Sequence, residues 1–186
     1  MTHVNRVVIG VNDEKKGAVM YRDSPNQQEK PGFYWRSTLW ATTELPVNNQ
    51  FKGDRAADVT VREPQENGLI FRALEFPPNI QDTQKRTEVL QELNQQVKQK
   101  YPPTAMDLAR DPSMHRTDTC DLFTVVYGEI HLMTDTDEVV LKPGDTAVVQ
   151  GVNHAWSNKS DKPCLIIGVE VHANPWPTDQ YPAEGL

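Results

Sequence analysis

The chain has 186 residues, 37% of them hydrophobic and 24% charged, with 14 prolines, 10 glycines and a formal net charge of −7. That length gives one domain of ordinary size, whose core needs neither a disulfide framework nor a structural metal. Nineteen Lys and Arg against 26 Asp and Glu, with no basic cluster beyond Lys15 and Lys16, exclude a footprint for nucleic acid or an anionic membrane surface, and a soluble, cytoplasmic protein is expected.

In chain order, Val4 to Ile9 and Ala18 to Tyr21 read as two strands joined at Asn12 to Gly17. A polar, proline-bearing stretch precedes Phe33 to Thr43, which is aromatic and β-branched, and a long polar connection follows. Gly68 to Phe76 reads as another strand, stopped by Pro77 and Pro78. Thr83 to Lys100 has no Gly or Pro and places Leu90, Leu93 and Val97 at spacings of three and four, which predicts an amphipathic helix on the outside of a β core. From Met114 onward the pattern tightens into short strands: Leu122 to Tyr127, Glu129 to Met133, Glu138 to Leu141, Thr146 to Gln150, His154 to Ser157 and Leu165 to His172. Such even spacing indicates an antiparallel sandwich or barrel, and 174–186 reads as an irregular tail. Cys120 and Cys164 are expected to be reduced packing residues.

The residues able to carry chemistry lie between His115 and Asn158. Residues two apart on a strand share a face, so His115 and Thr117 lie together; Asp121 joins them if the strand runs straight through Thr119, whereas a turn at TDTCD puts it on the next strand. Period two likewise groups His154 with Trp156. A barrel lets separate strands converge inside, so histidines 39 positions apart can meet in one pocket. Tyr127 and Trp156 are candidates for its lining, although aromatics at strand spacing also serve as plain core. His131 is expected on the surface, and the acidic run Asp135 to Glu138 reads as a solvated hairpin turn.

The stretch from His115 to Asn158 resembles the two motifs of the cupins, a superfamily of double-stranded β-helix (jelly-roll) barrels. HRTDTCDLFTVVYG resembles the first, with His115 at its first histidine, Thr117 at its second, Asp121 in place of glutamate, and Gly128 at the six-residue distance. GDTAVVQGVNHAWSN resembles the second: Gly144, His154 and Asn158 match, Gln150 stands at the proline position, and a glycine is displaced to Gly151. The likeness is to small bacterial and fungal cupins with an HRTDT...GEI...GD...HAW.N pattern, some of them cupin oxidoreductases of secondary metabolism.

This resemblance implies an all-β single-domain cupin over 1–186. Its barrel core would lie at about 104–173, with N-terminal strands and one peripheral helix in 1–103, and the chain would be a homodimer. It also implies a divalent metal (Fe, Mn, Ni or Zn) on His115, Asp121 and His154, with Thr117, Tyr127 and Trp156 around a small organic substrate. Thr117 does not inherit a ligand role, because a neutral hydroxyl is a poor ligand beside imidazole. Two histidines and one carboxylate are the set of non-haem Fe(II) oxygenases. The same residues without metal could move a proton as general acid and base in a lyase, isomerase or dehydratase, with His115, His154 and Asp121 as the catalytic groups. A binding or sensing barrel without turnover is the third possibility.

Overall fold

A computed structural model describes residues 4–51, 53–59, 61–96 and 100–181. In chain order the strands are β1 (Arg6–Val11), β2 (Gly17–Asp23), β3 (Gln27–Lys30), β4 (Tyr34–Thr42), β5 (Leu69–Phe76), β6 (Thr119–Tyr127), β7 (Ile130–Thr134), β8 (Glu138–Leu141), β9 (Thr146–Gln150), β10 (His154–Ser157) and β11 (Cys164–His172). A 3-10 turn occupies Arg55–Asp58, and two helices, α1 (Thr83–Gln96) and α2 (Ala105–Arg110), fall between β5 and β6.

All pairings are antiparallel. The main wall is a six-stranded sheet in the order β3-β4-β5-β11-β6-β9, opposed by a three-stranded sheet β10-β7-β8, while β1 and β2 form a hairpin of their own. This is the double-stranded β-helix that the resemblance implies. The N-terminal strands are part of it: β3, β4 and β5 extend the large sheet beside β11 and make up three of its six strands.

Alternation along the strands decides what enters the barrel. In β6, Thr119, Asp121, Phe123 and Val125 point inward and are buried, while Leu122, Thr124 and Val126 face out. The same period places Ala147 and Val149 of β9 inside. The core between the sheets contains Phe123, Val125, Ile130, Leu141, Val149, Trp156, Cys164 and Ile166. The rings of Phe123 and Trp156 meet edge to face at 5.8 Å. Both cysteines are free thiols.

Two glycines are required by close approach. Gly128, at φ +76°, turns β6 into β7 where a Cβ would lie 2.3 Å from the Pro163 carbonyl oxygen. Gly168 of β11 passes so close to β6 that a Cβ would stand 2.0 Å from the Leu122 carbonyl oxygen. Asn158 pins the β10–β11 connection, donating to the carbonyls of Phe76 and Lys162 at 2.8 Å each.

Several elements differ from the sequence expectation. Strand β3 lies in the polar stretch before Phe33, where its Gln and Glu side chains hide the strand signal that pairing with β4 reveals. Helix α2 is only six residues long, too short for a periodicity to show, and it stands on the capping box formed by Thr104 and Asp107. Helix α1 is described over Thr83–Gln96; of the predicted continuation through Lys100, 97–99 lie outside the described residues and Lys100 stands in a bend. It also does more than lie outside the core: Leu90 is buried, and Arg86, Leu90 and Leu93 face the barrel cavity. An amphipathic pattern shows that a helix has an apolar side, and leaves open whether that side covers a solid core or a hollow one.

Candidate active site

One cavity opens into the barrel between the large sheet, β10 and α1, a space of about 1200 Å³ when the solvent at its open mouth is included. His115, Thr117, Thr119, Asp121, His154 and Trp156 line it together. Strand β6 begins at Thr119, after a bend at Asp118 that separates it from the isolated bridge at His115, so the chain adopts the turn alternative: Asp121 stands on the next strand, and its side chain still faces the cavity.

The two histidines are joined through their backbones. The amide of His115 donates to the carbonyl of His154 and the amide of His154 donates back, both at 2.9 Å. Their rings are 4.3 Å apart, tilted by 52°. Each Nδ1 stands 2.9 Å from a carbonyl oxygen two residues earlier, Ser113 for His115 and Val152 for His154. A carbonyl can only accept, so each Nδ1 carries the proton and each Nε2 is left with its lone pair. Burial pushes both imidazoles below their ordinary range, and nearby Arg62 adds to this for each.

Asp121 shows the opposite shift. Burial raises its carboxyl above the usual range, against the pull of His154, a hydrogen bond from Thr119 and the charges of Arg62 and Arg72. Its Oδ2 lies 3.9 Å from His154 Nε2, too far for a hydrogen bond. His154 Nε2 and Asp121 Oδ1 are both buried and without hydrogen-bond partners. Beside them the hydroxyls of Thr117 and Thr119 bond to each other at 2.7 Å.

These orphaned acceptors are what a cation would use, yet the set expected for a metal does not close. Among the described residues no three His, Cys, Asp or Glu side chains form a group able to hold an ion. The position where a further imidazole would stand is the Thr117 hydroxyl, and the Arg62 guanidinium already brings positive charge to His115, His154 and Asp121. The residues present do not fit a three-ligand divalent centre.

Of the sequence candidates, Tyr127 needs correction. It is 38% exposed, lies outside the cavity lining, and donates its hydroxyl to Glu75 on β5. On β6 the inward positions are the odd ones up to Val125, and the irregularity between Leu165 and Ile166 of β11 turns Tyr127 out of that pattern. His131 is mostly buried between strands and pairs with Glu138. Asp135 is less solvated than a plain turn residue, accepting from Asn153 Nδ2 at 2.8 Å and the Tyr181 hydroxyl at 2.7 Å.

Sequence reasoning missed a second set of charged residues in the same cavity: Arg36, Arg62, Glu63, Arg72 and Glu170. A signal for two of them was available. Arg72 stands at the parity of Ile70, Leu74 and Phe76, the otherwise apolar face of β5, and Glu170 at the parity of Ile166 and Gly168, so each is a charge on an inward face. Glu170 and Asp121 are direct cross-strand partners. Burial pushes the Glu170 carboxyl up to about 7, with Asp121 adding to the rise and Arg72, Arg62 and Arg36 opposing it. Arg86 of α1 forms a two-pronged pair with Asp111, at 2.8 and 3.1 Å, and so clamps the helix over the opening. Burial alone would raise Asp111, but Arg86 and Ser113 hold it below the usual carboxylate range.

Comparison with known proteins places residues 99–170 on the family model of the cupin domain. A protein of the phomopsin biosynthesis cluster, protein C' of Diaporthe leptostromiformis, is 50% identical over 48 residues, 25% of each chain. Oryzines biosynthesis cluster protein J of Aspergillus oryzae is 43% identical over 51 residues, covering 27% of this chain and 28% of that protein. The matched stretch thus spans about a quarter of the length of these curated relatives. Among solved structures, TT1209 from Thermus thermophilus is similar with a TM-score of 0.44 and 12% identity, over 79% of this chain and 90% of that one. No helix among the described residues is long and apolar enough to cross a membrane.

Proposed function

Residues 99–170 match the family model of the cupin domain, and we propose that the barrel binds a small carbonyl-bearing organic molecule and moves a proton on it, an Nε2 of the His154 and His115 pair first taking the proton as base and then returning it as acid. One observation carries the reading: two imidazoles with Nδ1–H fixed on backbone carbonyls present unprotonated Nε2 atoms to a cavity, and a carboxyl group stands 3.9 Å from one of them. A base held in this way needs no reorganisation before it accepts a proton.

In the proposed step an Nε2 lone pair takes a proton from the carbon next to the carbonyl. The electron pair of that C–H bond moves into the carbonyl system, and Asp121 stabilises the imidazolium. The proton then returns to a different atom, giving isomerisation, or accompanies a leaving group, giving elimination. The cavity wall of Phe123, Trp156 and Leu90 keeps the imidazoles away from bulk water.

The test is solvent exchange. Small carbonyl compounds incubated with the protein in deuterated water should lose their α-proton NMR signals, and His154→Ala and His115→Ala should each stop the exchange. Compounds that bind without exchange would make this a binding barrel instead. The two orphaned acceptors favour one rival, metal-dependent oxidation. Metal analysis of protein prepared without a chelating tag decides it, because stoichiometric metal that disappears in His154→Ala would replace proton transfer as the explanation.

A further inference from the structure

We propose that the arginine wall of the cavity is a carboxylate subsite anchored by Arg72, so that the molecule this chain takes is a small organic monoacid with an apolar body. The inference deepens the reading of the same cavity as a reaction site and rests on it only for where the reacting atoms lie.

Arg72 stands in the middle of β5 and is 2% exposed. A guanidinium placed there loses its water and needs acceptors for five N–H groups. The acceptors it has are weak: Glu170 Oε2 at 3.3 Å and the Val61 carbonyl oxygen at 3.4 Å, both from Nη2. Its Nε is buried with no hydrogen-bond partner, and Glu170 Oε2 likewise lacks one of good geometry. A buried donor without an acceptor is uncommon in a finished structure, and on a cavity wall it marks a place where a ligand atom completes the bonding.

The surroundings select the kind of ligand. Arg36 and Arg62 line the same cavity as Arg72, which concentrates three guanidiniums in a chain of net charge −7. A planar guanidinium fork matches a carboxylate better than it matches any neutral group. Three carboxyls, Glu63, Asp121 and Glu170, also face the cavity and match the three guanidiniums one for one, so the wall carries no excess positive charge to hold a dianion such as a phosphate monoester, and a single orphaned guanidinium fork suits a monoanion. Leu74 and Phe76 continue the face of β5 beyond Arg72, and Phe123 and Trp156 close the far side, so the acid's body meets apolar surface.

Calorimetric titration of the full chain with benzoate and 3-phenylpropionate, against benzamide and 3-phenylpropanamide, tests this. The acids should bind at least 10-fold more tightly than their amides, and Arg72→Gln should remove most of that preference. Equal affinities, or no binding by either acid, overturn the proposal. If Arg72→Gln does not fold, Arg62→Gln on the loop before β5 is the second variant. A loss of acid affinity of at least 3-fold with the amides unchanged supports the subsite, and no change counts against it. Acid-selective binding without proton exchange upholds this proposal and sinks the catalytic one, whereas exchange on amides as readily as on acids does the reverse.

Discussion

The two halves of the chain bring different chemistry to one cavity. The half from Met114 onward contributes the imidazoles of His115 and His154 and the carboxyls of Asp121 and Glu170. The half before it contributes the guanidiniums of Arg36, Arg62 and Arg72 and the helix that covers the opening. Both imidazoles and two of the three carboxyls come from one side, and the guanidiniums, which stay charged, come from the other together with Glu63. A barrel built like this can keep its reactive corner while the strands and loop of the first half change what is admitted.

That division can be broken by substitution. The largest effect is expected at His154→Ala, where proton exchange should fall by about 10²–10⁴-fold with the circular dichroism spectrum retained; a loss of 10-fold or less would remove His154 from the chemistry. Next is Arg86→Ala in the first half, which leaves Asp111 buried without its charge partner. Breaking such a pair costs about 3–5 kcal/mol, to be read from urea denaturation. A drop below 1 kcal/mol would show that the clamp on α1 contributes little.

Glu170→Gln probes where the halves meet. The folded carboxyl titrates at about 7 against an ordinary value of 4.5, so the folded state keeps a proton that the unfolded state releases. Relative to the variant, wild-type stability should therefore decline as pH rises from 4.5 to 7 and level off above, by about 3 kcal/mol in all, the opposite contribution of the buried histidines cancelling in the difference. A difference between the two profiles that is flat over that window would contradict the buried, proton-holding carboxyl. The smallest effect is expected at Tyr127→Phe, which removes an exposed hydroxyl contact to Glu75. Stability should change by no more than about 0.5 kcal/mol, and exchange activity not at all; a clear loss of activity would return Tyr127 to the site.

The same division explains what could be read in the sequence. Strands β8, β9 and β10 begin and end where the sequence places them, because each is short and bounded by turn residues, although only β9 alternates buried and exposed positions. His115, Asp121 and His154 stand out because few other residues could serve their role at that spacing. Arg36 and Arg62 give no such signal, since arginine is common on surfaces and only the pairing of β4 with β5, or the course of the loop before β5, turns them inward. Tyr127 shows the converse error, in which correct parity is overridden by a strand irregularity that no local pattern reveals.

The reciprocal backbone bonds between His115 and His154 have a consequence for how the protein acquires its activity. They tie the segment leading into β6 to β10 of the opposing sheet, across 39 positions of chain, so neither imidazole is oriented until the two sheets have come together. Competence then arrives only at the last closure of the barrel. The amide hydrogens of these two residues should become protected against exchange with solvent in the same kinetic phase in which function returns on refolding, ahead of any ordering of the exposed N-terminal hairpin.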